Sequence, residues 1–182
     1  MIMKLSQAAI LVVGVLAMGA CTPKTAAPVA KPPAADYQAA ATATPPAANI
    51  RAICYNPADL TTVRSRMVQQ ELVVATLQCQ GPGGSRAYEA QYGSFISKYS
   101  AELASNTNAL KQVAGRKRLN IDVFVTEIAN RTAQRAPVDK EFCSRSKRAL
   151  DWALSPGVTS LAQVPPPFDL GPEMNIFPCP GS

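Results

Sequence analysis

The chain has 182 residues, with 18 Lys/Arg against 12 Asp/Glu, five cysteines and no histidine. Without histidine there is no Ser-His-Asp triad, no Cys-His pair and no imidazole-based metal site. The net charge of +6, of which +4 falls in residues 51–182 with 15 Lys/Arg and 11 Asp/Glu, favours anionic contacts only mildly and is explained by an ordinary solvated surface.

Met1 to Ala20 has three zones: the positive Lys4, the apolar run Leu5–Met18, and the small residues Gly19 and Ala20 before Cys21. The apolar run is too short for an ordinary spanning helix. The stretch Met18-Gly19-Ala20-Cys21 resembles the bacterial lipoprotein signal, with Met18 standing where that box usually carries leucine. The resemblance implies that residues 1–20 are removed and that Cys21 becomes an acylated N-terminus holding the protein to a membrane. Several acyl chains anchor stably where one does not. Thr22, with no Asp at that place, implies the outer membrane, the domain facing the periplasm; the alternative is a secreted or periplasmic protein cut near Ala20.

Residues 21–50 are rich in Ala, Pro, Thr and Lys, with Pro28, Pro32, Pro33, Pro45 and Pro46. They offer little to bury and read as a disordered tether, followed by one domain over residues 51–182, large enough for its own core.

The domain opens on a long predicted helix. Asn56 suits the N-cap, Pro57 the first helical position and Asp59 the first turn. Leu60, Val63, Met67, Val74 and Leu77 then recur at helical spacing, and Gly81-Pro82-Gly83-Gly84 stops the run. About 22 helical residues span roughly 33 Å, whereas bridged cysteines need Cα atoms within about 7 Å. Cys54 and Cys79, one at each end, therefore cannot bond each other and must use Cys143 and Cys179.

Ser85 can cap a second helix with the stripe Tyr88, Tyr92, Phe95, Ile96, Tyr99 and Leu103, which reads as core packing with the hydroxyls at the rim. Asn108 to Ala114 reads as a short helix ended by Gly115. Asn120 caps a further helix to about Arg135. Asp139 can cap the last, which carries Phe142, Cys143, Ala149, Leu150 and Trp152 before Pro156-Gly157. No stretch alternates cleanly enough to predict a strand. From Val158 onward prolines exclude regular helix, yet Phe168, Leu170, Met174, Ile176 and Phe177 predict an extended segment packed on the helices and pinned by Cys179.

The expected fold is all-α: a disulfide-bonded bundle of four main helices plus one short helix, with an extended Pro-rich C-terminal segment. In an up-down bundle the fourth helix starts at the end where the first one finishes. This favours Cys79–Cys143 and Cys54–Cys179. The alternative, Cys54–Cys143 with Cys79–Cys179, needs the short helix to reverse the chain once more.

Chemistry-bearing motifs are few. The cysteine spacings of 25, 64 and 36 residues lack the close pairs of a zinc site and suit disulfides in an exported chain. No metal or cofactor is expected. Glu71, Glu89, Glu102, Asp122 and Glu127 could supply a pair for glycoside hydrolysis, but ordinary surface acids explain them better. Arg116, Lys117 and Arg118 form one basic group and Arg145, Lys147 and Arg148 another; together they would make a weak contact surface for an anionic glycan or an acidic protein face. Nucleic acid is not an expected partner outside the cytoplasm. The runs VRSRMVQQELVVATLQC, YGSFISKYSAEL, FVTEIANRTAQR and FC resemble small helical lipoproteins of unassigned function from Gram-negative bacteria, which implies location but no activity. The functional expectation is a non-catalytic envelope lipoprotein binding a protein or glycan partner in an assembly, inhibitor or chaperone-like role. The alternative is a carboxylate-based enzyme acting on cell-wall glycan.

Overall fold

The computed structural model describes residues 35–37 and 52–180. The signal segment, Cys21 and most of the tether lie outside the described residues. The order of elements is β1 (Ile53–Tyr55), α1 (Pro57–Gln78), α2 (Glu89–Lys117), α3 (Ile121–Arg135), α4 (Phe142–Leu154) and β2 (Ile176–Pro178), with short 3-10 turns after α1 and within the tail. The fold is a bundle of four helices, as expected.

Helix α1 is the hub. Asn56 accepts the Asp59 N–H at 2.8 Å and Pro57 occupies the first helical position, so the start follows ordinary capping chemistry. Its buried residues point to nearly every side: Asp59, Val63, Met67, Val68, Leu72, Ala75 and Thr76 lie around the whole circumference. Such burial marks a helix enclosed by others rather than one laid on a core. Leu77, expected inside, is 53% exposed at the last turn.

The connection after α1 turns sharply at Gly83 and Gly84, whose φ values of 69° and 77° suit glycine. Helix α2 then runs back over 29 residues, with a kink at Tyr99, whose φ and ψ of −106° and 15° are not helical. The separate short helix expected over Asn108–Ala114 does not exist. Ser105, Asn106, Thr107 and Asn108 carry side chains that compete for the backbone, yet the helix continues through them. Here α1 occupies two of them: Asn106 donates to the Thr62 carbonyl at 2.8 Å, and Thr107 accepts from Arg66 at 2.7 Å. Gly115 stays helical, and the left-handed Arg118 closes the helix instead. Ser85 is likewise not its cap, since the helix begins at Glu89.

Helix α3 is capped by Asn120, which accepts from the Asp122 and Val123 amides. Helix α4 begins near Cys79, and its C-terminal carbonyls meet α2 through Lys98 and Tyr99. Tyr88 and Tyr99 donate to carbonyls of Cys143 and Ala153, so the tyrosine stripe ties α2 to α4.

The tail crosses the bundle rather than leaving it. Leu161, Val164, Phe168, Leu170, Met174 and Ile176 are buried, and Phe168 stacks on Phe142 with ring centroids 5.0 Å apart. Glu173 pairs with Arg131 and Arg135 of α3. Contrary to the expectation of no strand, the tail ends in a two-stranded parallel pairing of β2 with β1, with Cys54 opposite Phe177 and Tyr55 opposite Pro178. Three-residue strands show no period in sequence, and proline is tolerated on such an edge.

The disulfides are Cys54–Cys179 and Cys79–Cys143, with Cα atoms 4.7 and 5.7 Å apart, the pairing the helix directions favour. Non-reducing peptide mapping of the purified protein should recover these two links and no Cys54–Cys143 peptide. Replacing either pair by serines should lower stability by up to about 4–5 kcal/mol in the chain-entropy account, read from urea midpoints.

Candidate functional site

The side of α1 that carries Thr61, Arg64 and Ser65 is left partly open, and the tail forms its wall. A concavity of about 320 Å³ lies there, bounded by Leu161, Val164, Pro165, Pro166 and Asp169. A second, of about 210 Å³, shares Thr61, Ser65 and Leu161 and extends to Ser105 and Ala109 of α2. A third, of about 120 Å³, shares Arg64 and Asp169 and reaches Phe177 and Pro178. Together they make one valley across the first half of α1. Arg64 is exposed and makes no hydrogen bond or ion pair among the described residues. Asp169 accepts from the Gly171 amide at 3.1 Å, and Glu102 on the α2 side is held by the Ser160 hydroxyl and the Leu161 amide.

The two basic groups expected to act together are not brought together. Arg116 pairs with Asp59 at 2.6 Å, and Lys117 donates to the Cys54 carbonyl at 2.8 Å. Both therefore sit at the start of α1. Arg145, Lys147 and Arg148 belong to α4, whose Cys143 is bridged to Cys79 at the far end of α1, about 30 Å away by helical rise. Lys147 pairs with Asp151 at 2.7 Å, and Arg145 donates to the Tyr37 carbonyl and lies over the Phe168 ring. Arg118 and Arg148 remain exposed at opposite ends.

The carboxylates also differ from expectation. Glu71, read as a surface acid, has 0% exposure. One oxygen accepts the Phe168 amide at 2.9 Å and the other has no partner. Burial raises its pKa well above the ordinary value; the Phe168 hydrogen bond and the Arg135 guanidinium oppose this, and Asp169 adds to it. Glu127 is taken by Arg131 at 2.7 Å. Among the described residues, no three His, Cys, Asp or Glu side chains are grouped to hold a metal ion, and no helix is long and apolar enough to cross a membrane.

Arg64 and Tyr37, and the burial of Glu71, escaped the sequence reading. Glu71 stands between Val68, Leu72 and Ala75 in an apolar stretch, and Tyr37 is the only aromatic between Cys21 and Ala52. Both signals were present. Arg64 carries none, because its exposure depends on where the tail passes. No protein-family model, curated protein or solved structure matches this chain.

An acid whose folded pKa is raised holds its proton more tightly in the folded state. Glu71 therefore favours folding most below the ordinary glutamate range, and that contribution is lost as pH rises toward the folded value. The wild type should lose stability relative to Glu71→Gln as pH rises above the ordinary glutamate range, read from urea midpoints; parallel midpoints for the two proteins would remove Glu71 as the cause.

Proposed function

We propose that this is a lipid-anchored envelope protein whose helical domain binds a protein partner without catalysing a reaction, through the valley over α1. The observation that carries this reading is Arg64, an exposed guanidinium without a counter-ion among the described residues, on the floor of an elongated concavity walled by Leu161, Val164, Pro165 and Pro166. An extended peptide fits that shape. Walls of mixed polar and apolar character, including Gln163 and Asp169 beside Leu161 and Val164, can take both its backbone and its side chains, and the planar guanidinium suits a carboxylate or a backbone carbonyl. The anchoring half rests on the three-zone N-terminal pattern ending in Gly19-Ala20-Cys21. Two disulfides accord with an oxidising compartment such as the periplasm. The outer membrane remains part of the proposal through Thr22.

An alkyne fatty acid fed to cells should label the wild type and not Cys21→Ala; equal labelling of both would overturn the anchor. A photo-cross-linking residue at Thr61 should give partner adducts absent when the same residue replaces Arg148. Arg64→Glu should reduce the adducts by about tenfold, a loss of roughly 1.4 kcal/mol. Adducts that are equal from both positions, or indifferent to Arg64→Glu, would overturn the site.

A further inference from the structure

Among the described residues, the segment before the domain meets it at Tyr37, with Ala35 packed beside the same cluster. Tyr37 is 1% exposed and belongs to the core cluster that contains Val68 and Leu72 of α1, Phe95 of α2 and Leu150 of α4. Its hydroxyl donates to the Pro165 carbonyl at 2.8 Å, and its own carbonyl accepts from Arg145 at 3.0 Å. Burial, and after it the neighbouring Glu71, raises the pKa of that hydroxyl, so it remains a donor. The socket thus has the three parts of a peptide-recognition site: an apolar chamber for a ring, a carbonyl acceptor for the hydroxyl that selects tyrosine over phenylalanine, and a cation on the peptide backbone. Every part belongs to the folded domain, while the occupant comes from an Ala/Pro-rich stretch with no other aromatic residue.

Nothing in the covalent geometry obliges Tyr37 to stay. Fourteen residues, 38–51, separate it from the start of the domain, and they can span about 50 Å. The socket lies beside Val68 and Leu72, near the middle of α1, about half of that helix's roughly 33 Å length from Cys54. The link is longer than its task and permits both a seated and a released Tyr37 while the domain stays folded.

We infer that this socket is a binding site for a tyrosine-bearing extended peptide, which the chain fills from its own N-terminal segment as a releasable latch. The socket shares Leu161, Val164 and Pro165 with the wall of the valley over α1, but the inference rests on the contacts of Tyr37 itself and not on the valley's partner. If Cys21 is the anchor, the latch also sets reach. Seated, residues 22–36 alone separate anchor from domain, at most about 50 Å; released, residues 22–51 do so, at most about 105 Å.

The test uses the mature-length chain carrying Tyr37→Ala and a dye-labelled synthetic peptide of residues 30–44, followed by fluorescence anisotropy. The peptide should bind Tyr37→Ala at least about tenfold more tightly than it binds the wild type, whose socket is filled. A peptide with alanine at the tyrosine should bind neither, and one with phenylalanine should bind more weakly. Equal binding to both proteins, or none to either, would overturn the inference. A second arm, which does not require Tyr37→Ala to fold, begins from wild-type sequence with a protease site inserted between Pro45 and Pro46 and cut after folding. Excess unlabelled peptide should then displace the N-terminal fragment while the far-ultraviolet helical signal persists. Loss of that signal on displacement would show that Tyr37 is an ordinary core residue and would overturn the latch.

Discussion

A straight helix of 22 residues with a cysteine at each end cannot close on itself, and most of this structure follows from that. Each cysteine must draw in chain from far along the sequence, at separations of 125 and 64 residues. Cys79 holds the start of α4 against the end of α1. Cys54 brings the last residues back to its beginning, where β1 and β2 pair. Between those two staples the tail has to cross the bundle, and in crossing it covers one half of α1 and leaves the other half as a valley.

The central position of α1 also governs the charges. A helix enclosed on most sides buries the polar residues it carries, and buried polar groups need partners. Asp59 takes Arg116, Arg66 takes Thr107, and Glu71 takes the Phe168 amide. Elsewhere Lys98 lies at the C-terminal carbonyls of α4, a favourable place for a cation, and Arg135 and Arg131 hold Glu173. Much of the positive charge therefore works as internal fastening rather than as a field presented to an acidic partner. This is why a single exposed arginine beside a walled concavity says more about binding than six basic residues spread over both ends of the molecule.

Local chemistry was legible. The Asn56 and Asn120 caps, the proline after Asn56 and the apolar periodicity located α1 and α3 because those signals act within one turn. The observed disulfide pairing is the one that helix length and an up-down course favoured over Cys54–Cys143 with Cys79–Cys179. Where the reading failed, a distant segment had intervened. Asn108 to Ala114 looked like a separate short helix, and it is instead continuous with α2, where Asn106 and Thr107 bond to α1. Glu71 looked like a surface acid, and Phe168, 97 residues away, covers it and donates to it.

The amino-acid sequence by itself determined the helical class, the four main helices, the bridged cysteines and the presence of a packed Pro-rich tail. Capping, periodicity and rigid helix length leave little freedom in these. Only the tertiary structure decided which polar residues are buried, that the tail ends as a strand on β1, that the two basic groups stay apart, and that Tyr37 is drawn from the preceding segment into the core. Those outcomes depend on which surfaces meet across long sequence separations, and no short-range pattern encodes that meeting.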